Sequence, residues 1–205
     1  MLRKFKIVLF LLISMMPLYA VADLCSSRLN IQDYFSEIAS TKYQVFDDER
    51  GQLTSKSDLI KAIKVQDVKN GYLELQNETI LTSISAALFR KPDKPPIVVI
   101  LDEGASVQNM NVFICKGHQW LDRSKESLPS FSSMESANFY KSKGIKINGK
   151  DLSAEDLSKL AHSAIRYRLP KRGTEIEAYA GHPELSKDVL LFKLGLQGER
   201  FEIIK

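Results

Sequence analysis

Apolar and polar positions along the chain alternate with two distinct periods, and the segments they mark sort into helices and strands. The clearest stretch is Asn111 to Trp120, NVFICKGHQW, an apolar run that turns at Gly117 and lands on the sole tryptophan. Val189 to Phe201 has the same layout, with its turn at Gly198. Each reads as a strand pair closing a sheet.

Upstream, Asn30 can cap a helix whose stripe is Ile31, Tyr34, Phe35 and Ile38, with Gln32 and Glu37 off it. The acidic run in residues 47–52 lacks the alternating ligand spacing of a calcium loop and reads as a solvated turn. A short helix is predicted from Ser55 or Ser57, with Leu59, Ile60 and Ile63 as its apolar face. Leu73 and Leu75 alternate with Tyr72, Glu74 and Gln76 as in a half-buried strand, and Ser83 to Phe89 follows as a second. Pro92 to Pro96 is a stiff connection, and Ile97 to Leu101 belongs at the centre of a sheet.

Seven serines between Ser124 and Ser142, with few aliphatic residues, predict a linker. Ile145 and Ile147 before Asn148-Gly149 suggest a short edge strand and a turn. Ser153 then caps a helix, with Asp156 at its third position and Leu152 stapling onto Leu157. Its apolar arc is Leu157, Leu160, Ala161 and Ala164, with His162 opposite. A four-residue loop at Pro170–Gly173 would set Arg168 opposite Glu175, Tyr167 opposite Ile176 and Arg166 opposite Glu177.

The predicted class is therefore α+β, in two related halves that each pack a helix on an antiparallel sheet. The expected divisions are a signal peptide at 1–22, an N-terminal half at 23–123, a Ser-rich linker at 124–144 and a C-terminal half at 145–205.

Charge enters the picture through the N-terminus. Arg3, Lys4 and Lys6 precede an apolar run that Ser14 and Pro17 interrupt, and Ala20-Val21-Ala22 fits a peptidase site. Export with cleavage after Ala22 is expected, with no membrane span afterwards and a periplasmic or secreted location. The whole chain carries 29 basic and 25 acidic residues, but the leader holds three of the basic ones, so the remainder is near neutral at +1. That balance and the compartment argue against nucleic acid. In an oxidising compartment Cys25 and Cys115 are expected to form a disulfide. Closing so long a loop stabilises by at most about 4.5 kcal/mol. Two separate thiols, with Cys115 simply buried, is the alternative.

Candidate chemistry is sparse. No Walker loop, dinucleotide glycine pattern, zinc-type histidine pair or Cys-x-x-Cys occurs, so no cofactor or metal is expected. Cys115 and His118 lie three apart on a strand, pointing to opposite faces. Of the basic residues between Lys141 and Arg172, the two strand arginines face glutamates in the register above. This leaves Lys171 and Arg172 on a loop tip, with His118 on its turn, as candidate partner contacts. The sequence thus predicts a binding or inhibitory protein with no catalytic residues, acting on another envelope protein or an acidic ligand. The alternatives are a small hydrolase using His118, His162 or His182 as base, and a structural envelope component.

Overall fold

Asn30 begins the first element as an N-cap. In the computed structural model its Oδ1 accepts from the amides of Gln32 at 2.9 Å and Asp33 at 3.2 Å. The structure describes residues 29–41, 45–47, 51–53, 56–77, 82–104, 107–160 and 164–204. The expected signal peptide, Cys25 and His162 lie outside these residues.

Helix α1 (Ile31–Thr41) buries Ile31, Tyr34, Phe35 and Ile38 completely, the four positions of its apolar stripe. Strands β1 (Val45–Asp47) and β2 (Gly51–Leu53) pair antiparallel, flanking the expected polar turn, of which residues 48–50 lie outside the described set. Helix α2 (Lys56–Ala62) is shorter than predicted: Leu59 is buried, Ile60 is exposed, and Ile63 opens a strand instead.

Six strands then run as an antiparallel meander in which each pairs with its sequence neighbours. They are β3 (Ile63–Asp67), β4 (Tyr72–Asn77), β5 (Thr82–Phe89), β6 (Ile97–Glu103), β7 (Gln108–Lys116) and β8 (Gln119–Asp122). Strand β6 is interior and its first five residues are all buried, as an unbroken apolar run requires. Strands β7 and β8 join through Gly117 and His118, whose φ values of 58° and 64° are those of a two-residue type I′ turn. One sheet face, with Leu73, Leu75, Ala86, Val98, Ile100, Phe113, Cys115 and Trp120, packs against α1. Trp120 sits opposite Cys115 and edge-on to Tyr34 at 5.3 Å.

The expected linker differs in the structure. Residues 124–144 carry α3 (Ser124–Ser127) and α4 (Ser133–Ser142), and the serines serve as caps and close contacts. Ser124 Oγ accepts from the Val112 amide at 2.9 Å, Ser132 forms a capping box with Glu135, and Ser136 is buried. Serine-rich composition signals a linker only where those hydroxyls find no backbone partner. Strands β9 (Lys146–Ile147) and β10 (Lys150–Asp151) pair around the expected Asn148-Gly149 turn as a two-stranded sheet of their own, where an edge strand was expected. Helix α5 (Ala154–Lys159) has the predicted Ser153–Asp156 capping box but ends sooner than predicted, before Ala164, which leads into the next strand.

Strands β11 (Ile165–Arg168), β12 (Glu175–Ala180), β13 (Leu190–Gln197) and β14 (Arg200–Ile204) form a second antiparallel meander. Its register corrects the expected one by two residues. Arg168 faces Glu177, Tyr167 faces Ala178 and Arg166 faces Tyr179. The ladder stops early because Leu169 turns into the core, 3% exposed, which lengthens the connection to Glu175. A shift of two keeps every side chain on its predicted face.

The protein is thus a mixed α and β molecule built mainly of antiparallel sheets. The two meanders hold six and four strands, so they are not equivalent units. They share one core cluster, in which Tyr72, Phe89, Val99 and Val112 from the first meet Ile176, Ala178, Leu194 and Phe201 from the second. Phe89 and Phe201 contact edge to face at 5.1 Å.

Candidate functional site

The face of the six-stranded sheet that meets the second sheet changes character along its strands. One cross-strand row holds Phe89, Ile97 and Ile114, and the next holds Tyr72, Ala87, Val99 and Val112. Then come Glu74, Ser85, Leu101 and Met110, and finally Gln76, Ser83, Glu103 and Gln108. At the apolar end the two sheets close on each other. At the polar end small serines on β5 leave room, and a cleft of about 420 Å³ opens between the sheets. Its size suits a small molecule or one side chain cluster of a partner.

The floor consists of Ser83 and Ser85, with Glu74 and Glu103 beside them; the facing wall is β11 and the segment from Gly181 to Asp188. Three ion pairs line it. Arg166 meets Glu103 across the two sheets. Lys171 Nζ lies 3.7 Å from Glu74 Oε2, also across the sheets, and Arg168 Nη2 lies 2.8 Å from Asp188 Oδ2. The two arginines are therefore neutralised, but by Glu103 and Asp188 rather than by the predicted cross-strand glutamates. Glu175 and Glu177 instead share Lys193, at 2.8 and 3.9 Å.

Three tyrosines complete the walls. Tyr72 donates to Glu74 at 3.1 Å and carries Lys171 5.5 Å from its ring centre. Tyr179 donates to Glu177 at 2.6 Å and carries the Arg168 guanidinium 4.7 Å from its ring centre. Burial, then the charge of Glu74, pushes the Tyr72 phenol well above its ordinary value. Burial pushes Tyr167 up to about 12, and the hydrogen bond to Glu177 raises Tyr179. These phenols stay protonated near neutral pH and act as hydrogen-bond groups rather than bases.

The Gly181–Asp188 segment is fixed at both ends. Fully buried Tyr140 donates to the Ala164 carbonyl at 2.7 Å and accepts from the Gly181 amide at 2.9 Å. Within the segment, His182 Nδ1 accepts from the Glu184 amide at 3.2 Å, and Asn148 holds Glu184 at 3.1 Å. On the other side, Gln108 pairs with the Tyr167 backbone through both its amide atoms.

The sequence-predicted residues are distributed unevenly around this site. Lys171 forms its rim. Arg172 is exposed on the same loop, its charge reaching Asp67. His118 lies on the β7–β8 turn beside Lys116, past Ile114 and the apolar rows, at the opposite end of the sheet. His182 lines the cleft. Cys115 is buried on the sheet face that packs against α1. Tyr72, Tyr167, Tyr179, Ser83 and Ser85 were not singled out from sequence. The alternation of Ser83 and Ser85 with Ile84 and Ala86, before Ala87 and Phe89, was the available signal. Among the described residues no cluster of three or more His, Cys, Asp or Glu is placed to hold a metal, and no helix is long and apolar enough to cross a membrane. No protein-family model, curated protein or solved structure matches this chain.

Proposed function

We propose that the protein is an exported binding module that holds its ligand in the cleft between the two large sheets, without a cofactor and without turning the ligand over. The observation that carries this reading is the pairing of three of the four lysine and arginine side chains that line the cleft: Arg166, Arg168 and Lys171 each have a carboxylate partner, and the fourth, Lys187, is exposed. Such a surface is preorganised for recognition, because its polar groups are already oriented before a ligand arrives. A catalytic site instead needs a group left poised to give or take a proton. In this reading the chain is cleaved after Ala22, acts in the periplasm or outside the cell, and is stapled by Cys25 to Cys115. The two meanders enter as the two walls of one cleft.

Hydrogen exchange tests the proposal. The mature protein is incubated with a low-mass and a high-mass fraction of native envelope extract, beside a Ser85→Leu variant whose side chain fills the floor. Protection of residues 165–169 and 181–188 in the wild type, absent in the variant, with the ligand recovered at unchanged mass, is the expected result. Protection confined to other surfaces, or chemical conversion of the ligand, would overturn it.

A further inference from the structure

The charge arrangement of the cleft also restricts what fits it. We infer that the ligand is a neutral polyhydroxylated molecule, a saccharide unit, and not an anion. This inference rests on the cleft being the binding site, as proposed above.

An anionic ligand needs cations whose charge is not already spent. Of the four lysine and arginine side chains that line the cleft, Arg166, Arg168 and Lys171 are taken by Glu103, Asp188 and Glu74, and the fourth, Lys187, is exposed, where solvent and salt screen its charge. An incoming carboxylate or phosphate would have to compete with those partners and sit beside their displaced charge. A neutral ligand leaves the pairs intact. A guanidinium has five N–H donors and a carboxylate roughly four acceptor sites, so a paired arginine and carboxylate still offer unused donors and acceptors. Those remaining groups, spread over β4, β6, β11 and the Gly181–Asp188 segment, match a ligand that both donates and accepts at many points. Saccharide hydroxyls do both.

The floor and walls fit the same class. Ser83 and Ser85 supply hydroxyls, and that of Ser85, bonded to Tyr72, keeps acceptor capacity. Tyr167, half-buried in the wall, combines an apolar ring with a polar tip, the pairing that a pyranose with its C–H groups and hydroxyls matches. The phenol groups held protonated remain neutral partners. A cleft of about 420 Å³ accommodates one or two sugar rings.

Calorimetric titration decides between the classes. Di-N-acetylchitobiose and cellobiose serve as saccharide probes, and inorganic phosphate and N-acetylglutamate as anion probes. The wild type is compared with Ser85→Leu, and with Asp188→Ala, an exposed change that frees Arg168 without touching the core. At least one saccharide is expected to bind the wild type, at least tenfold more weakly in Ser85→Leu. Asp188→Ala is expected to lose saccharide affinity and gain phosphate binding. Binding of the anions but not the saccharides by the wild type overturns the ligand class and leaves the cleft as the site. Saccharide affinity unchanged in both variants overturns the assignment to the cleft. Failure of all four probes, with extract still protecting the cleft from exchange, overturns the saccharide class alone.

Discussion

Gln108 completes the edge of β11 with its side chain: Nε2 donates to the Tyr167 carbonyl at 2.9 Å while Oε1 accepts from the Tyr167 amide at 2.5 Å. A primary amide here does what a neighbouring strand would do. It satisfies both polar groups of an edge residue and ties β7 of one sheet to β11 of the other. Replacing Gln108 by alanine removes both bonds and is expected to cost about 1–3 kcal/mol. Urea denaturation measures this, and the Tyr167 amide should exchange faster in the variant. Unchanged stability and exchange would mean the pairing contributes nothing.

Tyr140 is the second tie. Its hydroxyl, fully buried, serves the Ala164 carbonyl and the Gly181 amide together. Tyr140→Phe keeps the ring and removes both side-chain bonds, while the Gly181 amide keeps its direct bond to the Ala164 carbonyl at 3.1 Å, so a loss of about 0.5–1.5 kcal/mol is expected. Because Gly181 opens the segment that walls the cleft, the same variant should also weaken ligand binding. Thermal unfolding and titration on one sample check both effects.

Stability against pH follows from the helix caps and the phenols. Hydrogen bonds from the Ser132 amide and then its hydroxyl hold Glu135 below its ordinary 4.5, and those from the Ser153 hydroxyl and amide hold Asp156 below its ordinary 3.8. Their contribution is therefore present above those ordinary values and is lost as pH falls through the depressed ones. The melting temperature should be flat above about pH 5 with respect to these groups, falling below it, and falling less in Glu135→Gln and Asp156→Asn. At the alkaline end Tyr167 is raised to about 12, so its contribution is complete below pH 10 and is lost between there and about 12. Absorbance titration of the phenols should show a late component that Tyr167→Phe reduces, the remainder coming from the other raised phenols such as Tyr72.

The bridge proposed between Cys25 and Cys115 is checked by electrophoresis. The mature protein should migrate faster without reductant than with it, and Cys115→Ala should abolish the difference. Equal mobility in both conditions would contradict the bridge.

Much of the architecture was legible because it depends on local periodicity. The α1 stripe, the interior placement of Ile97 to Leu101, the β7–β8 turn and the Ser153 cap all follow from spacing within a few residues. Leu169 shows where that reasoning ends: its burial in a core assembled from both sheets sets how long the β11–β12 connection is. Serine 132 and 136 read as linker because their partners appear only once α4 forms. The cleft was missed for a related reason. Glu103 and Arg166 lie far apart in sequence, and only the packing of one meander on the other makes them neighbours.

The account's central claim is that the polar end of the sheet interface is where the ligand sits. Amide chemical-shift mapping during titration with di-N-acetylchitobiose tests this most directly. Shifts should converge on Ser83, Ser85, Tyr167 and Gly181 and leave the Gly117–His118 turn unmoved. Shifts centred on that turn, on α1 or on β14, with the cleft amides silent, would contradict it.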